Sequence, residues 1–238
     1  GKGITVMNTP AASSQSVAEL VFGHIFSLAR SLHLSNREMP GADGATFKKL
    51  KKAFSEGVQV RGKTLGIIGF GRIGQEVARI GLGMGMNVMP VDLIVNEADI
   101  DLNIYNSKDV RLSVSLQTYR IEEVLPKADF LTLHVPFSGG SALIDAARLA
   151  TMKQGAFIIN TSRGGAVDED ALIRALDDNQ LAGAALDVFD DEPTPKQVLL
   201  NHPKISCSPH IGAATVEAQA NIGLELADKI IAFFGDDK

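Results

Sequence analysis

The chain has 238 residues, 45% of them hydrophobic and 21% charged, and its net charge of −5 comes from intermixed signs. This composition suits a soluble, core-forming chain and argues against nucleic acid as the main partner. A single cysteine, Cys207, excludes an internal disulfide and fits a reducing compartment. No apolar run approaches the ~20 residues of a membrane span, and the N-terminus lacks the charged and apolar zones of a signal peptide, so the expected setting is the cytoplasm without a membrane.

The opening Ile4-Thr5-Val6-Met7 reads as a short strand closed by Asn8-Thr9-Pro10. A helix should follow, capped near Ser13 or Ser14 and running to about Leu32. Its apolar positions, among them Val17, Leu20, Val21, Phe22, Ile25, Phe26 and Leu28, cover more than one face. Such a helix is expected to be buried from two sides, and a second subunit is one way to supply the other side. Asn36–Gly44 reads as a polar connection, and Phe47–Phe54 as a lysine-rich helix.

From Lys63 onward, apolar strand-like runs alternate with helical patterns. Strands are expected at Thr64–Gly69, Asn87–Asp92, Arg111–Ser115, Phe130–Val135, Ala156–Asn160, Gly183–Val188 and Lys204–Cys207. Helices are expected near Ile73–Met84, Ile121–Leu125, Leu143–Met152 and Asp168–Leu176, with a last one from Thr215 to Phe234. Short, nearly continuous apolar strands separated by helices predict an α/β fold, a doubly wound parallel sheet covered on both faces. Asn96–Asn106 carries no readable pattern.

Leu65 to Gly74 forms a buried strand that runs straight into Gly69-Phe70-Gly71-Arg72-Ile73-Gly74 and then a helix. Gly69 suits a tight turn, Gly71 the close approach of a pyrophosphate, and Gly74 helix-on-strand packing. Arg72 and Ile73 open the helix, whose free N–H groups and positive dipole end suit phosphates. The next strand ends in Asp92, 18 residues after Gly74, close to the ~20 expected of a carboxylate that binds a ribose 2′-hydroxyl. An acid there repels a 2′-phosphate, so NAD is expected over NADP.

Three polar side chains sit just past strand ends, where open α/β sheets bind ligands. Arg163 lies in Asn160-Thr161-Ser162-Arg163-Gly164-Gly165, Glu192 in Asp187-Val188-Phe189-Asp190-Asp191-Glu192-Pro193, and His210 in Ser208-Pro209-His210-Ile211-Gly212-Ala213. Taken singly, each has a plain reading as a surface arginine, a turn carboxylate or a loop histidine. The glycines beside Arg163 favour close backbone approach to a ligand.

These segments together with the phosphate loop resemble the D-isomer-specific 2-hydroxyacid dehydrogenases, most closely the branch acting on 3-phosphoglycerate. The similarity runs from Ile4 to about Phe234. The resemblance implies that His210 exchanges a proton with the substrate oxygen, that Glu192 pairs with it and fixes its tautomer, and that Arg163 holds the substrate carboxylate and carbonyl. The chemistry agrees: hydride transfer to a ketone leaves an alkoxide that needs a proton donor, and a planar guanidinium matches paired oxygens. The resemblance further implies that Thr161 and Ser162 line the nicotinamide side and that Asp187 bonds the carboxamide. Val135, Pro136, Gly212 and Ala213 would then approach the cofactor through backbone. His24, His33, His134 and His202 are read as structural or solvent-facing, and Cys207 as a small buried hydrophobe.

The resemblance also implies a domain plan: residues 1–10 as a hinge from a substrate lobe absent from this chain, 11–210 as the NAD-binding domain, and 211–238 as a C-terminal helix that would pack on that lobe. The expected reaction is hydride transfer between a D-2-hydroxy acid and NAD in a homodimer, with 3-phosphoglycerate and 3-phosphohydroxypyruvate as first choice. Glycerate or hydroxypyruvate reduction and D-lactate oxidation are the alternatives within the family. An NAD-sensing corepressor-like binding protein is the alternative outside enzymes. Ile100–Ser115 reads as an insertion. Lys48, Lys49, Lys51 and Lys52 read either as a solvated face or as a contact for a substrate phosphate.

Overall fold

Leu65-Gly66-Ile67-Ile68 is apolar at every position because its strand is covered on both faces, as parallel strands require. The computed structural model describes residues 5–9, 11–103 and 111–235. Its elements begin with α1 (Ser14–Ala29), α2 (Leu32–Glu38), α3 (Gly44–Ala53), β1 (Thr64–Ile68), α4 (Arg72–Gly83) and β2 (Asn87–Val91). Next come β3 (Glu97–Asn103), β4 (Arg111–Gln117), α5 (Ile121–Val124), β5 (Phe130–Leu133), α6 (Ala146–Thr151) and β6 (Ala156–Asn160). The last are α7 (Glu169–Asp177), β7 (Leu181–Leu186), α8 (Gln197–Leu200), β8 (Ile205–Cys207) and α9 (Val216–Gly235).

Six strands form one parallel sheet in the order β2-β1-β5-β6-β7-β8, the doubly wound, Rossmann-type arrangement expected. The winding reverses between β1 and β5, so the loops that follow them part into a crevice at the carboxyl edge. Successive strand residues alternate between two cores. Leu65, Ile67, Phe130 and Ile159 pack with Val21, Phe22 and Ile25 of α1 and Val77 and Ala78 of α4. Ile68, Leu131, Leu133 and Ile158 pack with Val124, Leu149, Leu172 and Leu176 from α5, α6 and α7. Each such side chain contributes about 1.5–3 kcal/mol when fully buried, so the strand ends that carry the site are anchored on both sides.

Several expectations need correction. Thr5–Met7 forms no strand; Val6 is 87% exposed and pairs with no neighbour, while Ile4 lies outside the described residues. The first helix stops at Ala29 rather than Leu32, because Ser31 takes a left-handed backbone (φ 51°) and the chain restarts as α2. That second helix occupies part of what reads as the polar connection Asn36–Gly44. The expected burial of α1 from two sides holds, with α4 on one side and β6, β7 and β8 on another. The strand expected at Gly183–Val188 sits two residues earlier, at Leu181–Leu186.

The largest departure is Arg111–Ser115, which does not join the parallel sheet. It belongs to β4, paired antiparallel with β3 in a separate two-stranded sheet. The segment read as an insertion is thus a β-hairpin arm whose connection, 104–110, lies outside the described residues. Ile100 is fully buried in the α1–α4 core, with Ala98, Leu102 and Leu116 packed beside it. The Arg79 Nε–H of α4 donates to the Asp101 carbonyl at 2.8 Å. These contacts predict that the hairpin is part of the folding unit. Ile100→Ala should therefore cost about 2–5 kcal/mol in chemical denaturation, whereas a loss near zero would mean that the arm is only loosely attached.

Candidate active site

The phosphate loop is shaped by two backbone contacts that leave no room for a side chain. Gly69 has φ +94°, and a Cβ there would lie 2.6 Å from the His134 carbonyl oxygen in the loop after β5. A Cβ on Gly74 would collide with the Gly69 carbonyl. Gly71 differs: its φ of −73° suits any residue, and among the described residues nothing beyond its chain neighbours lies within 4 Å of the Cβ position. The space in front of Gly71 adjoins the start of α4, which no side chain caps. Uncapped N–H groups and the positive helix end make this a site for an anion.

Asp92 follows β2 and does more than the sequence suggests. Its Oδ2 accepts the Phe70 N–H at 2.6 Å, while Oδ1 accepts those of Ile94 and Val95 at 2.8 and 3.0 Å. Partial burial alone would raise this carboxyl, but the N–H groups of Val95, Ile94, Phe70 and Leu93 hold it below its ordinary value. The result is a fixed negative charge beside the phosphate loop. Across the crevice, Val135 is half-buried and Pro136 exposed. Burial pushes the His134 imidazole down to about 3, so the ring stays neutral and is no proton donor near pH 7.

The loop after β6 is organised by Asn160, which is buried. Its Oδ1 accepts the Ser162 N–H and hydroxyl at 3.0 and 2.8 Å, and its Nδ2 donates to the Arg163 carbonyl at 3.0 Å. Arg163 itself is exposed. A Cβ on Gly164 would strike the Phe189 carbonyl, so this loop and the one carrying Glu192 touch backbone to backbone. Glu169, buried at the start of α7, braces that second loop by accepting the Asp190 N–H at 2.9 Å, and Lys196 lies 3.3 Å from its other oxygen.

Glu192 and His210 come together as expected, with Oε2 2.8 Å from Nδ1. Oε1 accepts the Phe189 N–H at 3.0 Å. The bond from His210 holds the Glu192 carboxyl below its ordinary value against a smaller opposing effect of burial, and the Phe189 N–H and the charges of His210 and Arg163 add to it. A carboxylate only accepts, so His210 Nδ1 carries a proton toward Glu192 and Nε2 is the nitrogen available to a ligand. An apolar recess of about 390 Å³, lined by Phe189, Pro193, Leu200, Cys207 and Pro209, adjoins the pair.

Asp187 is 1% exposed and anchors the His210 loop. Its Oδ1 accepts the Ser208 hydroxyl at 2.5 Å and the Ile211 N–H at 2.9 Å, and its Oδ2 accepts the Gly212 N–H at 2.9 Å. The Ala213 carbonyl accepts from Gln219 of α9 at 3.2 Å. Sequence reasoning missed this anchoring role, along with Ser16, His24, Ser208 and Glu169. All are single polar residues in apolar or loop contexts, with no spacing to mark them. His202 is structural, with Nε2 3.3 Å from Asp177 and Nδ1 accepting the Lys204 N–H at 3.1 Å. Lys48, Lys49, Lys51 and Lys52 are exposed on α3, whose buried residue is Leu50. Among the described residues no group of His, Cys, Asp and Glu could hold a metal, and no helix is long and apolar enough to cross a membrane.

Residues 22–212 match the family model described as D-isomer specific 2-hydroxyacid dehydrogenase, NAD binding domain. The chain belongs to that family. It is 41% identical over 231 residues to D-3-phosphoglycerate dehydrogenase of Homo sapiens, covering 97% of this chain but 40% of that protein. It is 37% identical to the hydroxypyruvate reductase of Thermotoga maritima, covering 98% of this chain and 71% of the relative. Among solved structures, Rhodotorula graminis D-mandelate dehydrogenase superposes with a TM-score of 0.82 at 26% identity, over 96% of this chain and 65% of that one. This chain therefore spans about two fifths to a half of the phosphoglycerate dehydrogenases it matches.

The residues present fit NAD, the family's cofactor. Among the described residues no atom beyond its chain neighbours reaches the Cβ position of Gly71, and two buried polar atoms at the same edge, Thr161 Oγ1 and His134 Nδ1, have no hydrogen-bond partner. The glycines separate two roles that a titration can tell apart. Gly71→Val should fold normally yet bind NADH about tenfold or more weakly, the loss of one hydrogen bond to a charged phosphate. Gly74→Ala should instead cost about 1–3 kcal/mol of stability through its clash with Gly69. Equal NADH affinity in Gly71→Val and the unaltered protein would remove the cofactor from this loop.

Proposed function

We propose that this chain carries the cofactor domain and the proton-transfer residues of an NAD-dependent D-2-hydroxyacid dehydrogenase. The observation that carries the reading is the Glu192–His210 pair, set beside the Arg163 loop at the edge where β1 and β5 open the crevice. In the oxidative direction the substrate C–H gives a hydride and the O–H gives a proton, leaving a 2-oxo acid. Bound NAD supplies the hydride acceptor. His210 Nε2 takes the proton while Glu192 stabilises the imidazolium that forms. Arg163 holds the carboxylate and the reacting oxygen through its planar fork. Thr161 and Ser162 line the nicotinamide side, and Val135, Pro136, Gly212 and Ala213 close around it with backbone. Asp92 takes the adenosine ribose.

Asp187 is proposed to meet the carboxamide with what its anchoring leaves over. Three of the roughly four acceptor positions of a carboxylate are taken by Ser208, Ile211 and Gly212, so one remains. For the substrate, we read 3-phosphoglycerate and 3-phosphohydroxypyruvate as first choice, a place in serine biosynthesis, supported by the 41% identity to phosphoglycerate dehydrogenases. Hydroxypyruvate is the second reading, favoured by the 37% identity to a relative of which this chain covers 71%. The apolar face of α9, with Leu224, Ile231 and Phe234 exposed, is read as the surface that packs on a substrate lobe. Leu32 on α2, Met39 just after it and Phe47 on α3, all exposed, support a homodimer.

The test follows NADH absorbance with 3-phosphohydroxypyruvate, hydroxypyruvate and pyruvate in parallel, and checks the same preparation for a dimer by sedimentation. Turnover should be fastest with the phosphorylated substrate, and His210→Ala should lower kcat by about 10²–10⁴-fold. Turnover that survives His210→Ala unchanged would refute the assignment of the proton donor. A preference for hydroxypyruvate would select the second substrate reading.

A further inference from the structure

His24 is 5% exposed, yet both of its ring nitrogens are engaged. Nδ1 lies 3.1 Å from Ser206 Oγ, and Nε2 lies 2.9 Å from Ser208 Oγ. Ser208 in turn reaches Asp187 at 2.5 Å. The direction of each proton follows from the Asp187 end. An ionised carboxylate only accepts, so the single hydroxyl proton of Ser208 goes to Asp187. The Ser208 oxygen must then accept from His24, which places the ring proton on Nε2. A neutral imidazole has one N–H, so Nδ1 is bare and takes the hydroxyl proton of Ser206. Burial pushes the His24 imidazole down against the opposing charge of Asp187, with His33 adding to the downward effect, in keeping with a neutral ring.

The other end of this chain of bonds meets the His210 loop. Asp187 accepts the N–H groups of Ile211 and Gly212, and Ser16, also on α1, donates to the Gly212 carbonyl at 2.6 Å. Between these fixed points His210 sits at φ +54°, a left-handed backbone that a residue with a side chain keeps only when its surroundings enforce it. The helix α1 therefore grips the loop on both sides of the imidazole: through His24 and Ser208 before it, and through Ser16 and Gly212 after it.

We propose that His24 is a positioning residue for His210: through Ser208 and Asp187 it fixes the loop backbone so that the His210 Nε2 points at the substrate oxygen. The proposal rests on the reading of His210 as the proton donor, and the experiment separates the two. Nitrogen-15 spectra of the histidine side chains should place the His24 proton on Nε2. In His24→Phe, the Ile211 and Gly212 amides should exchange with solvent about tenfold or more faster, while that of Ile67 in β1 is unchanged. With the 2-oxo acid, kcat should fall by about tenfold or more and KM change by less than about threefold. His24→Gln, whose amide can occupy the place of Nε2–H, should recover most of kcat. A side chain that only filled space would be replaced as well by Phe as by Gln. A proton on Nδ1, unaltered exchange at Ile211 and Gly212, or kcat in His24→Phe equal to that of the unaltered protein would each overturn the proposal. If turnover survives His210→Ala, the reading of His210 fails, and the spectra and exchange still decide whether His24 holds the loop.

Discussion

Backbone pressed against backbone at the carboxyl edge of the sheet is the constraint on which the site depends. The loop after β1 touches the loop after β5 at Gly69 and His134, and α4 starts so close to that loop that Gly74 faces the Gly69 carbonyl. The loop after β6 touches the one after β7 at Gly164 and Phe189. Each contact is possible only because the residue has no Cβ. Together they draw four strand ends into one continuous rim. The two apolar cores hold the strands, so the loops inherit fixed starting points, and short polar segments can be placed to within a hydrogen-bond length.

Carboxylates then act as pins within that rim. Asp92 gathers the N–H groups of Phe70, Ile94 and Val95; Asp187 gathers Ser208, Ile211 and Gly212; and Glu192 gathers Phe189 and His210. An acceptor-only group in partly dry surroundings is well suited to this, because every lone pair left unpaired is costly and every N–H donor satisfies one. Each pin keeps an acceptor direction or a paired imidazole facing the crevice. Structure and chemistry share the same atoms here, which is why one histidine backbone can be held in a left-handed conformation beside the reacting position.

The fold was legible from Lys63 onward because parallel strands buried on both faces leave continuous apolar runs, and the glycine spacing from Gly69 to Gly74 marks the turn that follows one. Arg163, Glu192 and His210 were legible because each stands just past such a run. Strand β4 was expected but placed in the wrong sheet, and β3 was missed, although Glu97 to Asn103 alternates polar and apolar residues in strand fashion. A single strand half-covered at the rim of a parallel sheet has too short a signal to separate from a loop. The end of α1 was missed because Ser31 gives no local hint of its left-handed backbone. His24, Ser16 and Glu169 were missed for a different reason: a polar side chain on a buried helix face says nothing about its partner, which lies 182 residues away for the His24–Ser206 pair. Asp92 was read as a ligand for a ribose 2′-hydroxyl; its bonds to Ile94 and Val95 belong to the turn after β2, and its bond to Phe70 emerges only when β1 and β2 lie side by side.

The most direct test of the whole account is a calorimetric titration of the protein with NADH and with NADPH, repeated on Asp92→Ser. If the crevice between β1 and β5 is an NAD site read by a fixed negative charge, NADH should bind at least about tenfold tighter than NADPH, a difference of about 1.4 kcal/mol or more, and the substitution should narrow that gap. Equal affinity for the two in the unaltered protein, or no binding of either to a folded sample, would contradict it.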